Sequence, residues 1–363
     1  MSRPSKLLLV ATFRHYFIGL GLAFNDKQHD YHLVFINQTF DGERNLILNA
    51  SLRAKEPFAS VSCLPLRTTD FKEKNVNRRA AFKLLRKKIS AVRPVEISTG
   101  NDRRLEFQYA MNFARNVLKM QVRGGFLDQG TGSYISSQKL NMRKYLTRKW
   151  VEVPLKKIVY GKWVSKIQRH GESHWVDVCY LTHPNLAPVH LLKKECVEVK
   201  ADFYKTEQAQ CVIGSIVSSI GCSGDEGVQA DLLLVVPHGS VIEDIYGSKG
   251  RAKEIFENIC ADYGNVFVKY HPANSGDMLE LGGHANILPS QFPVEILFAV
   301  MDFERVIGDI STSMVSAKWM LPRASVEFID TNSGYSGVLR GFFKKLGIPS
   351  LGLPFVEGFP AKD

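Results

Sequence analysis

No stretch of this chain approaches the ~20 consecutive apolar residues that a membrane helix needs, so a spanning segment is not expected. The first apolar run, Leu7 to Ala11, is too short for a signal-peptide core and has no cleavage site after it. It reads as a first buried strand, and a cytoplasmic location is expected. Cysteine is sparse. Cys63, Cys179, Cys196, Cys211, Cys222 and Cys260 are widely spread with no C-x-x-C pair. Neither a zinc site nor a disulfide framework is expected, only isolated thiols in a reducing compartment. Internal repeats, low-complexity tracts and heptad runs are missing, as are RNP, KH, zinc-finger and helix-turn-helix signatures.

Acidic residues are absent where basic ones are dense. Residues 74–93 hold eight Lys/Arg and no acid, and residues 139–169 hold ten with Glu152 alone against them. These windows carry +8 and +9 of the net +11, leaving the rest of the chain at −6. Two basic surfaces on a mildly acidic protein suit a polyanion: nucleic acid, an acidic glycan or anionic lipid headgroups. The plain alternative is a pair of solvated helix faces.

What is present fits a two-domain globular protein. The 363 residues exceed one small core, and 45% hydrophobic with 23% charged residues are ordinary values. Strand and helix signals alternate through the first half: strands at Leu7–Val10, Tyr31–Ile36, Val95–Ser98 and Met120–Leu127, with helices at 12–24, 78–92 and 105–118 between them. Residues 150–215 look different, with short β-rich segments at 175–181, 190–199 and 212–217 and no clear long helix. Gly221 to Gly227 is the best linker candidate. A second series follows: strands at 231–236, 266–270, 287–288, 306–307 and 325–329, and helices at 249–263, 294–301 and 313–320. This predicts an α/β protein of GT-B architecture, two Rossmann-like domains facing across a cleft. The expected domains are 1–225, carrying a base and binding an acceptor, and 226–345, binding a nucleotide sugar, with a tail at 346–363.

Three polar motifs each end an apolar run, where open α/β sheets bind ligands. Asp128-Gln129-Gly130 follows Gly-Phe-Leu. Its carboxylate can act as a general base beside the permissive Gly130-Thr131-Gly132 loop, or can cap the next turn. His271-Pro272 follows Val-Phe-Val-Lys-Tyr. Its proline disfavours helix at the histidine, and an imidazole beside phosphate is a plausible acid. Ser311-Thr312-Ser313 opens a predicted helix, where free N–H groups attract phosphate; an ordinary N-cap needs one hydroxyl, not three. Between the last two, Pro293-Val294-Glu295 starts another helix with an acid placed for ribose hydroxyls or for the helix dipole. A second His-Pro, His183-Pro184, lies in the β-rich middle with no hydroxyl cluster downstream and is read as structural.

In this order, the motifs resemble those of the bacterial sialyltransferases and polysialyltransferases of GT-B fold. Glu295 lies 24 residues after His271 and Ser313 lies 42 after it, spacings similar to that superfamily's. Ser98 to Tyr109, containing Gly100-Asn101-Asp102-Arg103, resembles a signature of the polysialyltransferase-like branch. The resemblance runs from about residue 7 to residue 330. It implies inverting transfer of sialic acid from CMP-sialic acid without metal or other cofactor, for a bacterial capsule or lipooligosaccharide. Asp128 would be the base and His271 the acid toward the departing phosphate. Ser311, Thr312 and Ser313 would bind that phosphate, Glu295 the ribose, and Pro272 and Pro293 would shape the donor site. The family often has two acids before the glycine; here the second is Gln129. Its usual Ser-Ser pair is interrupted by Thr312.

The basic windows then suit an acidic glycan or glycolipid acceptor, with Arg78, Arg79, Arg86, Lys87 and Lys88, and Asn101, Asp102 and Arg103, as the contacts. They also suit peripheral contact with the inner face of the membrane, and no nucleic-acid partner is expected. Two other readings stand beside this one. The chain can be a GT-B enzyme for another donor, CMP-linked 3-deoxy-octulosonate or a UDP-sugar. It can also be a non-catalytic α/β protein binding polyanions or nucleic acid.

Overall fold

The computed structural model describes residues 3–36, 46–53, 56–65, 71–135, 153–220, 229–274, 276–331 and 337–351. The linker candidate at 221–227, with Cys222, and residues 139–152 of the second basic window lie outside them. The chain divides into two compact units, Met1–Gly221 and Cys222–Asp363.

The first unit is built on seven strands: β1 (Ser5–Val10), β2 (Asp30–Phe35), β3 (Ser60–Cys63), β4 (Glu96–Thr99), β5 (Arg123–Leu127), β6 (Val178–Leu181) and β7 (Glu195–Glu198). Their order is β3-β2-β1-β4-β5-β6-β7, and every pairing is parallel. Leu7, Leu8 and Leu9 are all fully buried, which explains why β1 reads as a continuous apolar run: helices cover both faces of a parallel sheet. The helix Phe13–Asn25 starts at Thr12, whose hydroxyl accepts from the His15 N–H. The basic helix Phe71–Val92 is longer than its periodicity predicts. Ala81, Leu85 and Ile89 enter the core, while Leu84 is 45% exposed. Leu105–Asn112 runs into a wider π-type turn, Phe113–Val117.

The middle region is where the expectation fails. Val212 to Val217, expected as strand, lies inside the helix Glu207–Ile220. Ala209, Val212, Ile213, Ile216 and Val217 are the buried residues, recurring at i, i+3, i+4, i+7 and i+8 as one face of a helix requires. β-branched content suggested strand; the period decides otherwise. The segment 190–199 divides into a helical turn, Val189–Leu192, and β7. Residues 150–215 are therefore part of the first α/β unit and supply its last two strands.

The second unit has six parallel strands: β8 (Gln229–Val236), β9 (Val266–Tyr270), β10 (Asn286–Leu288), β11 (Asp302–Gly308), β12 (Ser325–Ile329) and β13 (Ser350–Leu351), ordered β10-β9-β8-β11-β12-β13. Strand β13 pairs with β12, so residues 350–351 of the segment expected as a tail complete a sheet edge. Among the described residues, the helices Leu46–Arg53, Thr131–Tyr134, Val153–Tyr160, Gly239–Tyr246 and Gly337–Lys345 also escaped the sequence reading. No helix of the described residues is long and apolar enough to cross a membrane.

Register decides what meets at each sheet edge. Leu127 pairs with Tyr180, so β5 and β6 end side by side. Val236 pairs with Tyr270 and Gly308 with Val235, so β9, β8 and β11 also end together. At Gly308 a Cβ would lie 2.9 Å from the Val235 carbonyl oxygen, so only glycine permits this approach of β11 to β8.

Candidate functional site

In the first unit the Asp128 cluster forms beyond the ends of β5 and β6. Asp128 follows β5 directly and is fully buried. Oδ1 accepts from the Gly130 N–H at 2.6 Å, a turn that holds Gly130 at φ 75° and so favours glycine. Oδ2 accepts from the Thr182 N–H (2.9 Å), from Thr182 Oγ1 (2.7 Å) and from the Tyr134 hydroxyl. Arg14, from the first turn of the helix after β1, sets Nη2 3.5 Å from the same oxygen and donates to Thr182 Oγ1 at 3.2 Å. Burial pushes the Asp128 carboxyl up, but the Arg14 guanidinium and the bonds from Thr182 and Tyr134 outweigh it, holding the group below the usual carboxylate range. Burial and the neighbouring carboxylate push the Tyr134 phenol well above its ordinary value.

His183 belongs to this cluster. Its backbone N–H donates to the Tyr134 oxygen (3.0 Å), its Nδ1 lies 3.0 Å from Thr182 Oγ1, and its ring meets Tyr134 edge-on. The ring is half-buried, in contrast to Asp128. Nearby, His15 is buried against Gly100, and burial followed by the Arg14 charge pushes it down to about 3, so it is neutral.

The Gly100-to-Arg103 segment braces the same unit. Asp102 is fully buried, and Oδ2 accepts from the Ser173 N–H at 2.9 Å. Asn101 Oδ1 accepts from the Arg103 N–H at 3.2 Å, and Arg103 contacts His170 Nε2. Burial raises Asp102 to about 6 despite backbone bonds from Ser173 and Gly171. On the basic helix, Arg78 is committed inward, to the Tyr160 hydroxyl (3.1 Å) and toward Glu106, and Lys88 to Ser60. Arg79, Lys83, Arg86 and Lys87 are exposed, Arg86 lying over the Phe113 ring.

In the second unit three adjacent strand ends carry polar groups. His271 follows β9 and is exposed together with Pro272. Its Nδ1 accepts from the Ala273 N–H at 3.1 Å, so a neutral ring carries its proton on Nε2. Burial, then His238 and Lys269, lower its pKa. His238 follows β8 and caps the helix Gly239–Tyr246: its Nδ1 accepts from the Ser240 N–H at 3.0 Å, again placing hydrogen on Nε2. The two rings meet edge-on at 5.0 Å. Asn274 ties their loops together, accepting from the Gly239 N–H (2.8 Å) and donating to the Pro237 carbonyl (2.9 Å).

The third strand end leads from β11 to Ser311, at the N-cap of the helix Thr312–Met320. Ser311 makes no side-chain cap, and its buried Oγ has no hydrogen-bond partner among the described residues. Thr312 and Ser313, half-buried, begin the helix. Pro293 is the N-cap residue of the helix Val294–Val300, and Glu295 in its first turn is buried, with Oε1 accepting from Ser316 Oγ at 2.9 Å. Glu295 thus links two helices through one oxygen.

The structure therefore places His271 and Ser311–Ser313 after β9 and β11, strands of one sheet separated by β8, and brings Asp128 to residues the sequence reading passed over. Thr182-His183 follows Val178–Leu181 by the same strand-end rule that exposed His271, and Pro237-His238 follows β8. Both signals were legible. Arg14 carried none, because only the sheet order brings its helix to β5.

Two parallel sheets with polar residues beyond their strand ends make this a GT-B fold. Among solved structures it is similar to a putative UDP-N-acetylglucosamine 2-epimerase from Listeria monocytogenes, with a TM-score of 0.54 and 13% identity over 96% of this chain and 84% of that one. It is also similar to UDP-GlcNAc 2-epimerase from Methanocaldococcus jannaschii (TM-score 0.52, 11% identity, 95% and 88% covered). The Neisseria meningitidis enzyme, bound to UDP-GlcNAc, gives a TM-score of 0.52 at 11% identity, with 96% and 87% covered. At such identity the likeness establishes the fold alone. No protein-family model matches the sequence, and no curated protein is significantly similar to it.

Proposed function

We propose that the chain is an inverting glycosyltransferase moving sialic acid from CMP-sialic acid to a hydroxyl of an acidic glycan or glycolipid. The observation that carries this reading is one end of the second unit's sheet, where two imidazoles present Nε2–H donors after β8 and β9, and the helix that follows β11 begins at a serine hydroxyl with no partner among the described residues. Such donors suit a single phosphate, which CMP has, without calling on a metal. In the neighbour from Neisseria meningitidis the same fold holds a nucleotide sugar.

The chemistry follows from the charges. His271 is neutral at neutral pH in the free protein because its pKa is lowered. An arriving phosphate stabilises the imidazolium, so donor binding charges the residue that then donates to the leaving phosphate oxygen. Ser311, Thr312 and Ser313 hold the remaining phosphate oxygens, and Oε2 of Glu295 meets the ribose. The acceptor hydroxyl loses its proton at the Asp128 cluster. Arg79, Arg86 and Lys87 attract the acidic acceptor, and the same charge permits contact with an anionic membrane face.

The test is incubation with CMP-sialic acid and lactose-type and oligosialic acceptors, with product masses read out and an EDTA arm. CMP-linked 3-deoxy-octulosonate and UDP-hexoses serve as competing donors. We expect sialylated product that survives EDTA, slow donor hydrolysis without acceptor, and a loss of about 10²–10⁴-fold in His271→Ala. Consumption of another donor with CMP-sialic acid untouched would refute it.

A further inference from the structure

We propose that His238 holds the phosphate of the nucleotide sugar together with His271, and that Asn274 is the positioning residue that sets His238 there. The inference rests on the transfer reading above and gives that reading a specificity-determining residue for the phosphate. Every group it uses lies in the second unit.

Sheet order makes His238 the central one of three strand-end groups. From β8 the chain adds β9 and β10 on one side, then crosses to β11 and β12 on the other. The order therefore reverses between β8 and β11. Open α/β sheets take their ligands beyond the carboxyl ends of strands at such a reversal. His238 follows the end of β8, His271 the end of β9 and Ser311 the end of β11. The strand that carries His238 thus lies between those that carry His271 and Ser311.

Asn274 joins the two histidine loops with three hydrogen bonds. Its Oδ1 accepts from the Gly239 N–H at 2.8 Å, and its Nδ2 donates to the Pro237 carbonyl at 2.9 Å. One buried amide therefore brackets His238 from both sides. Its backbone N–H donates to the His271 carbonyl at 2.8 Å. An amide suits this place because it supplies an acceptor and a donor at once. A carboxylate would face the Pro237 carbonyl with no hydrogen to give.

Each ring is then fixed by its own loop. His238 Nδ1 accepts from the Ser240 N–H at 3.0 Å and lies 2.7 Å from Ser240 Oγ, while His271 Nδ1 accepts from the Ala273 N–H at 3.1 Å. A neutral ring with Nδ1 used in this way carries its hydrogen on Nε2. The ring centroids are 5.0 Å apart, which puts both within reach of one phosphoryl group. His238 donates a hydrogen bond to that group and keeps its proton; no bond to it forms or breaks, and the acid remains His271.

The test is calorimetric titration of the full chain with CMP, cytidine and inorganic phosphate, in the wild type, His238→Asn, Asn274→Ala and the double variant. Asparagine at 238 keeps an oxygen for the Ser240 N–H, so the helix cap survives while Nε2–H is lost. His238→Asn is expected to weaken CMP by about 10–100-fold and to leave cytidine unchanged. Asn274→Ala should weaken CMP alone, yet add less than about twofold in the His238→Asn background, because its side chain acts through that ring. Equal losses in both backgrounds would make Asn274 merely structural and overturn its role. CMP affinity kept within about threefold in His238→Asn would overturn the phosphate contact. Imidazole NMR of the wild type decides the point even if Asn274→Ala does not fold: the signals of both rings should move on adding CMP, and movement of His271 alone refutes the pairing. The two readings fail separately. CMP or phosphate binding with these effects, but no turnover of CMP-sialic acid, sinks the transfer reading and leaves the pair standing; a wild type that binds neither ligand overturns the pair.

Discussion

Removing the Asp128 carboxylate should unfold the first unit before it reports on chemistry. In Asp128→Ala, Arg14, 5% exposed, loses the buried carboxylate it faces, and the Thr182 N–H, Gly130 N–H and Tyr134 hydroxyl lose this acceptor. Breaking a buried ion pair by deleting one partner costs about 3–5 kcal/mol, and each stranded buried donor adds roughly 1–3 kcal/mol before local relaxation. Domain stabilities are about 5–15 kcal/mol, so the loss is a large part of the total. Asp128→Asn keeps the shape and one acceptor and should cost less. The effect also has a pH signature. A carboxyl whose folded pKa lies below its unfolded value of about 3.9 contributes stability above that value and loses it as pH falls through the folded pKa. The Ala variant should therefore approach the wild type in stability only in strong acid. Urea unfolding followed by far-UV circular dichroism and by tryptophan fluorescence measures it, since Trp163 and Trp175 lie in the first unit. A cost below about 1 kcal/mol at pH 7 would refute the reasoning, because it would mean that Arg14, Thr182 and Tyr134 are not held by this carboxylate.

Two further outcomes follow from the charges. Asp102, raised to about 6 by burial, disfavours the folded state once ionised. Its contribution is present below about pH 4 and lost as pH rises through 6, so Asp102→Asn should raise the melting temperature at pH 8 and leave it unchanged near pH 4; scanning calorimetry at the two pH values checks the sign. Charge removal at Arg79, Lys83, Arg86 and Lys87 should weaken binding of long oligosialic acceptors several-fold at low salt and little at high salt. An unchanged affinity, measured by titration at both ionic strengths, would remove the basic helix from the acceptor site.

The fold was legible to the extent that periodicity was strong. Leu7–Val10 and Asp231–Val236 announce parallel strands because both faces are covered, and helices such as Lys249–Ala261 announce themselves by spacing. Residues 212–217 read as strand because Val and Ile at 212, 213, 216 and 217 favour strand locally, whereas their burial follows the helical period of Glu207–Ile220. His183-Pro184 reads as structural because no hydroxyl cluster follows it in sequence, whereas the groups that meet it, Thr182 and Tyr134, include one from 49 residues upstream.

The sequence by itself determined the α/β class and the strand-end position of Asp128, His271 and Ser311–Ser313, because an apolar run followed by a polar turn is a local pattern. Only the tertiary structure decided which of these groups are buried and which partners hold them. Arg14 and Asp128 are 114 residues apart, and Asp128 and Thr182 are 54 apart. Sheet order and register alone bring them within hydrogen-bonding reach. The tautomers of neutral His238 and His271 are likewise set by the backbone N–H that each Nδ1 accepts, which leaves Nε2 as the donor at both strand ends.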